Sequence, residues 1–143
     1  MTGLSLGTWG DVGTHLVRLL LAFALSLPIA WNREREARSA GLRTFPIVAI
    51  ASCGFVMLGI QVLGAQSVGQ ARVLEGLVTG IGFIGGGAIL KGGDTTRGTA
   101  TAASVLNTGI VGGAVGYGLY DIGLVLALAN LAVLVTLGVA KDE

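Results

Sequence analysis

Charge is scarce in this sequence. Aspartate, glutamate, lysine and arginine make up 12% of the 143 residues, against about 25% in soluble proteins. That is too little to cover a surface meeting water on all sides. The charges are also unevenly placed, with residues 33–43 holding six of the seventeen. A net charge of +1 excludes the basic field that nucleic acid requires. Cysteine and histidine occur once each, as Cys53 and His15, so an intrachain disulfide and a thiolate metal cluster are both excluded. There is no nucleophile elbow, no pair of acids at useful spacing and no histidine partner for a nucleophile, so no enzyme is expected. The first fifteen residues carry no Lys or Arg ahead of an apolar run, which is not the pattern of a signal peptide.

What is plentiful is apolar. Hydrophobic residues make up 52% of the chain and mean hydropathy is +0.81. Five apolar runs follow, at about 16–31, 45–63, 74–90, 99–119 and 122–140. The second has no charge and is long enough to cross a hydrocarbon core, which takes about 20 helical residues. Thr44 and Pro46 suit its start. The third is short for a full span. In lipid a lone segment must satisfy its own backbone groups, so the runs predict helices and the fold class is an all-α polytopic membrane protein. The whole chain reads as a single membrane domain.

Five spans place the termini on opposite sides. Arg33, Arg35, Arg38, Arg43, Lys91, Arg97 and Lys141 fall on one side, and the loops of the other hold only Arg72. The positive-inside rule then puts the N-terminus outside and the C-terminus in the cytoplasm.

Glycine is abundant, at 25 residues. Gly80, Gly82 and Gly85 match the G-x-G-x-x-G fingerprint for dinucleotides. A preceding strand and an acid about 20 residues later are missing, and Asp94 comes too early. Close helix packing in a bilayer accounts for the glycines better, because small residues four apart let backbones approach. Gly76 pairs with Gly80, and Gly82 with Gly86. The two pairs lie on different sides of the helix, so the third span is expected at the centre of the bundle. The fourth repeats the pattern with Gly109, Gly112, Gly113 and Gly116, and carries Thr101, Ser104, Asn107 and Thr108. The third and fourth spans are expected to pack closely as an antiparallel pair.

Three stretches taken together resemble a known family: "REREARSAGLRT" (33–44), "ARVLEGLVTGIGFIGGGAIL" (71–90) and "RGTATAASV" (97–105). In this order and spacing the chain resembles the membrane domain of the MgtC/SapB family. The matching positions are Arg33 and Glu34; Gly41, Leu42, Arg43 and Thr44; Ala71 and Arg72; Gly80, Gly82, Phe83, Gly85 and Gly87; Arg97 and Gly98; and Thr101, Ala102 and Ala103. Asn32, Gly86 and the Thr99-Ala100 pair depart from the pattern. The resemblance implies a bacterial inner-membrane protein linked to magnesium limitation and, in pathogens, to virulence. It further implies action by modulating other membrane proteins, with a small transporter or channel for magnesium or another cation as the alternative. Well-known members carry a soluble C-terminal domain after the fifth span, and none is expected here.

Charges near lipid are costly and each needs an account. Arg18, one turn into the first span, either snorkels to the interface or joins Arg72 and Glu75 at the outer end of the third. Arg72 and Glu75 are three apart and suited to pair along one helix face. Glu75, Thr79, Gly82 and Gly86 share a narrow face that Thr101, Ser104 and Thr108 are expected to meet. Glu75 is the one acid on a span that offers a ligand to magnesium, and no other cofactor is expected. The loop "NREREARSAGLR" reads as an interfacial helix or as a docking surface. The expected partners are membrane lipid, another protein in the membrane and further copies of the chain, without nucleic acid.

Overall fold

The computed structural model describes residues 9–36, 40–92 and 95–139. Five helices follow one another: α1 (Trp9–Glu36), α2 (Thr44–Leu63), α3 (Gln70–Gly87), α4 (Thr99–Gly116) and α5 (Tyr120–Val139). A small antiparallel ribbon joins α3 to α4. It is made of β1 (Leu90–Gly92) and β2 (Thr95–Arg97), with Leu90 opposite Arg97. Among the described residues α1, α2 and α5 are long and apolar enough to cross a membrane. Leu58, Val62, Leu128 and Leu137 stand more than half exposed on the outside of the bundle, a surface suited to hydrocarbon. The protein is an all-α polytopic membrane protein.

Helix α1 extends beyond its apolar run at both ends. Asp11 lies in its first turn and Arg33 and Arg35 in its last, each complementing the partial charge of that helix end. Residues 33–36 therefore continue a transmembrane helix and are not a separate interfacial one. Arg38 lies outside the described residues, as do Asp94 and Lys141.

The centre of the bundle is α4 and not α3, which corrects the expectation from glycine spacing. Helix α4 packs against each of the other four helices, and most of its residues from Thr101 to Gly116 are buried. The reason is steric. A helix wrapped by protein on every side needs small side chains more than apolar ones, and α4 is built largely of Gly, Ala, Ser, Thr and Val. Gly112 marks the closest approach: a Cβ there would overlap the backbone carbonyl of Ala49 on α2. The core beside it comprises Ile29, Ala30, Phe45, Val48, Ile81, Val105, Val111, Ala127 and Leu134.

Helices α3 and α4 do pack closely, through fewer glycines than the spacing suggests. A Cβ at Gly85 would lie 3.1 Å from the carbonyl oxygen of Ala102, Gly113 takes Leu77, and Gly109 receives Ile81. By contrast Gly76, Gly80, Gly82 and Gly86 have no neighbour among the described residues that a Cβ would meet. A side chain there would meet open space, because α2 and α4 leave much of the surface of α3 uncovered.

Gly98 is the hinge between ribbon and helix. It precedes the first residue of α4 with φ of 87°, and a Cβ there would overlap the Ala88 carbonyl. Gly98→Ala should cost about 1–3 kcal/mol, since both the left-handed backbone and the contact oppose it. A lowered thermal midpoint in detergent checks this.

Candidate functional site

Polar side chains gather in three places. The first is the inner end of α1. Glu34 Oε2 accepts the Leu42 backbone N–H at 2.9 Å, just ahead of α2. Gly41 lies against the same carboxylate, leaving no room for a side chain. Glu34 thus supplies negative charge and an acceptor at a helix N-terminus. The Arg-Glu and Ala-Gly-Leu-Arg-Thr stretches therefore share one structural role, which is to close the α1–α2 turn. Arg33 is 7% exposed. It pairs with Glu36 and donates from Nη2 to Asn32 Oδ1 at 2.8 Å. Arg35 stacks over Trp31 at 5.3 Å. Arg43 is exposed at the cap of α2, and Thr44 follows it half-buried.

The second place is the opposite end, where the C-termini of α2 and α4 meet the N-terminus of α3. Gln70, 7% exposed, donates from Nε2 to the carbonyls of Gly59 (3.1 Å) and Gly64 (2.9 Å). Its Oε1 accepts from the Tyr117 hydroxyl at 2.9 Å. One side chain therefore ties three helices. Sequence reasoning missed both residues. The available signal was a lone amide at the edge of a span, with a tyrosine at the end of the central helix. Arg18 also lies here, but it does not join Arg72 and Glu75. Its Nη1 donates to the Gly116 carbonyl at 3.0 Å, placing a cation at the C-terminal end of α4 as the helix dipole favours. Asp11, His15 and Gln61 share the small polar cleft beside it.

The third place is inside the bundle. Ser104 Oγ donates to Asn130 Oδ1 at 3.1 Å, and Asn107 Nδ2 donates to the Leu126 carbonyl at 3.2 Å. These bonds join α4 to α5. Thr101, Ser104 and Thr108 are essentially fully buried, and the Thr108 hydroxyl has no partner among the described residues. They do not meet the Glu75 face as expected, because α4 turns Gly109 and Gly113 toward α3 instead.

That leaves the outer side of α3. Arg72, Glu75, Thr79, Gly82 and Gly86 are all exposed. Arg72 and Glu75 form no ion pair among the described residues, so the expected pairing along one helix is absent. Thr79 Oγ1 donates to its own helix at the Glu75 carbonyl, 2.8 Å away. Phe83 projects outward, 86% exposed. Among the described residues no three His, Cys, Asp or Glu side chains converge as metal ligands would. Arg97 is exposed at the end of the ribbon. Between α2 and α3 runs an open apolar groove of about 360 Å³. Ala51 and Phe55 line one wall and Ile84 the other, with Gly76 and Gly80 beside it.

The sequence matches the model of the MgtC family over residues 19–142. It is 38% identical over 120 residues to protein SrpB of Synechococcus elongatus, covering 76% of this chain and 66% of that one. It is 38% identical over 125 residues to protein MgtC of Brucella abortus, covering 87% and 52%. It is 33% identical over 125 residues to YhiD of Escherichia coli K12, whose name proposes a magnesium transporter, covering 83% and 58%. The chain thus spans roughly half to two thirds of the length of these relatives. No solved structure matches it. With the family model spanning most of the chain, and the Glu34–Leu42 turn and α3–α4 contact built from the residues that carry the resemblance, the protein belongs to the MgtC family.

Proposed function

We propose that this chain is a bacterial inner-membrane protein that supports growth under magnesium limitation by binding and modulating other membrane proteins. In this reading it catalyses no reaction. Its N-terminus is outside and its C-terminus cytoplasmic, as the distribution of Arg and Lys favours. The name of one relative, YhiD of Escherichia coli K12, supplies the link to magnesium. The observation that carries the reading is the α2–α3 groove. It is apolar, opens sideways into lipid and is bordered by Gly76 and Gly80. A transmembrane helix of another protein fits such a groove, since glycine lets its backbone come close.

The test is complementation of a deletion strain at limiting magnesium. Gly80→Leu fills the groove, and because its Cβ meets nothing the fold should survive. Growth support should be lost while protein level and thermal midpoint stay at wild-type values. Wild-type growth from this variant would sink the reading. A reporter fused after Glu143 should be cytoplasmic.

A cation transporter is the second reading, favoured by the buried hydroxyls of Thr101, Ser104 and Thr108 along one side of α4. Protein-dependent magnesium entry into liposomes, followed with an internal dye, would decide for it. Absence of flux from folded protein would decide against it.

A further inference from the structure

Helix α3 presents to its surroundings a face that is wrong for lipid and unused by the described residues. Arg72, Glu75, Thr79, Gly82 and Gly86 follow one another at spacings of three, four, three and four, and every one is exposed. This is the a/d spacing of a two-helix seam. Its partner is missing among the described residues: there a Cβ at Gly82 or Gly86 meets nothing, and Arg72 and Glu75 form no ion pair. The glycines weaken the helix by about 1 kcal/mol each relative to alanine. Packing among the described residues returns none of that at Gly82 or Gly86.

We infer that this seam binds the same seam of a second copy, giving a parallel α3–α3 pair about a two-fold axis along the membrane normal. Two copies inserted in one membrane share an orientation, so their α3 helices can only run parallel in such a pair. At about 100° per residue, Thr79 and Gly86 lie within roughly 10° of a common line on the helix. Arg72 sits about 30° to one side of that line and Glu75 about 30° to the other. A two-fold axis places each residue on one side opposite the residue on the other side of the partner. Arg72 of each copy therefore faces Glu75 of the other, and two ion pairs form that one copy cannot make alone. The same operation sets Phe83, about 50° to one side, against Gly82, about 50° to the other. The ring that stands bare in the single chain is thereby seated over a residue with no side chain. Thr79 and Gly86 on the axis are small enough for the backbones to approach. Charge and shape are thus self-complementary on one face. The line on which this pair would close lies about 110° around the helix from Gly80, so the inference does not rest on the proposed function.

The test is disulfide trapping of the full chain in native membranes, in a Cys53→Ser background. Thr79→Cys and Gly86→Cys should cross-link to dimers on mild oxidation. Val78→Cys, exposed on the same helix but turned well away from the axis, should not. In the Thr79→Cys chain, Arg72→Glu should lower the dimer yield at least about tenfold, because like charges are then set opposite each other. Adding Glu75→Arg should restore it. Gly82→Leu should abolish trapping by removing the seat for Phe83, with the thermal midpoint in detergent unchanged. The inference is overturned if Val78→Cys traps as well as Thr79→Cys. It is equally overturned if the charge reversal lowers the yield and the double reversal fails to recover it while the protein remains folded.

Discussion

Gly112→Leu should leave no stably folded bundle. Gly112 sits where α4 crosses α2, and even a methyl group there would overlap the Ala49 carbonyl. A backbone oxygen cannot move aside as a side chain does. The helices must separate, and with them the contact on which Val48, Val105 and Val111 are packed. Overpacking of a core typically costs about 1–3 kcal/mol and more when backbone must shift. Here the cost should be at least about 3 kcal/mol. Size-exclusion profiles and thermal midpoints in detergent check it. Gly80→Leu, the same exchange on α3, is the control. Glycine spacing alone predicts that it too breaks the bundle, whereas the open space beside Gly80 predicts a midpoint near that of the unaltered protein. Equal losses for the two variants would contradict the placement of α4 at the centre.

The second large effect is expected at Gln70. Gln70→Leu keeps most of the volume and removes three hydrogen bonds, to Gly59, Gly64 and Tyr117. Buried partners left unsatisfied are costlier than the bonds themselves, so a loss of about 2–3 kcal/mol is expected. Tyr117→Phe removes one of the three and should cost about 1 kcal/mol. Combining the two should cost less than the sum, because the tyrosine hydroxyl is then no longer stranded. Strict additivity in a detergent denaturation series would mean that the two side chains do not interact.

Much of the fold was legible because bilayer physics leaves few options. Apolar runs located the helices, and Thr44 opens α2 as its sequence suggests. Hydropathy did not find the end of α1, since Arg33 pairs with Glu36 and the Arg33 and Arg35 cations complement the helix dipole while the helix continues. Glycine spacing revealed the stripes on α3 and α4 but not their neighbours. A stripe states that something small is needed on one side. It does not state whether that side meets the same chain, as at Gly109 and Gly113, or lies open, as at Gly82 and Gly86. The usable clue to the central helix was polarity. Thr101, Ser104, Asn107 and Thr108 would be costly toward lipid, and a segment carrying all four is better placed inside. Glu34 was legible as a motif position, but its bond to Leu42 was not, because the partner is a backbone N–H of the kind nearly every residue possesses.

The position of α4 in the bundle also bears on how the protein is made. The helix that touches all the others is the fourth to leave the ribosome. Until it arrives, α2 alone joins α1 to α3, and the surfaces around Ala49 and Ile81 that will receive α4 stand uncovered. Helix α4 carries Thr101, Ser104, Asn107 and Thr108, so lipid alone gives it a weaker reason to enter than it gives α2. Its reason is the half-built cradle already in place. Insertion and folding should therefore be one event for this segment. A nascent chain halted just before Thr99 should be a substrate for membrane quality-control proteases, whereas one released after α5 is complete should not.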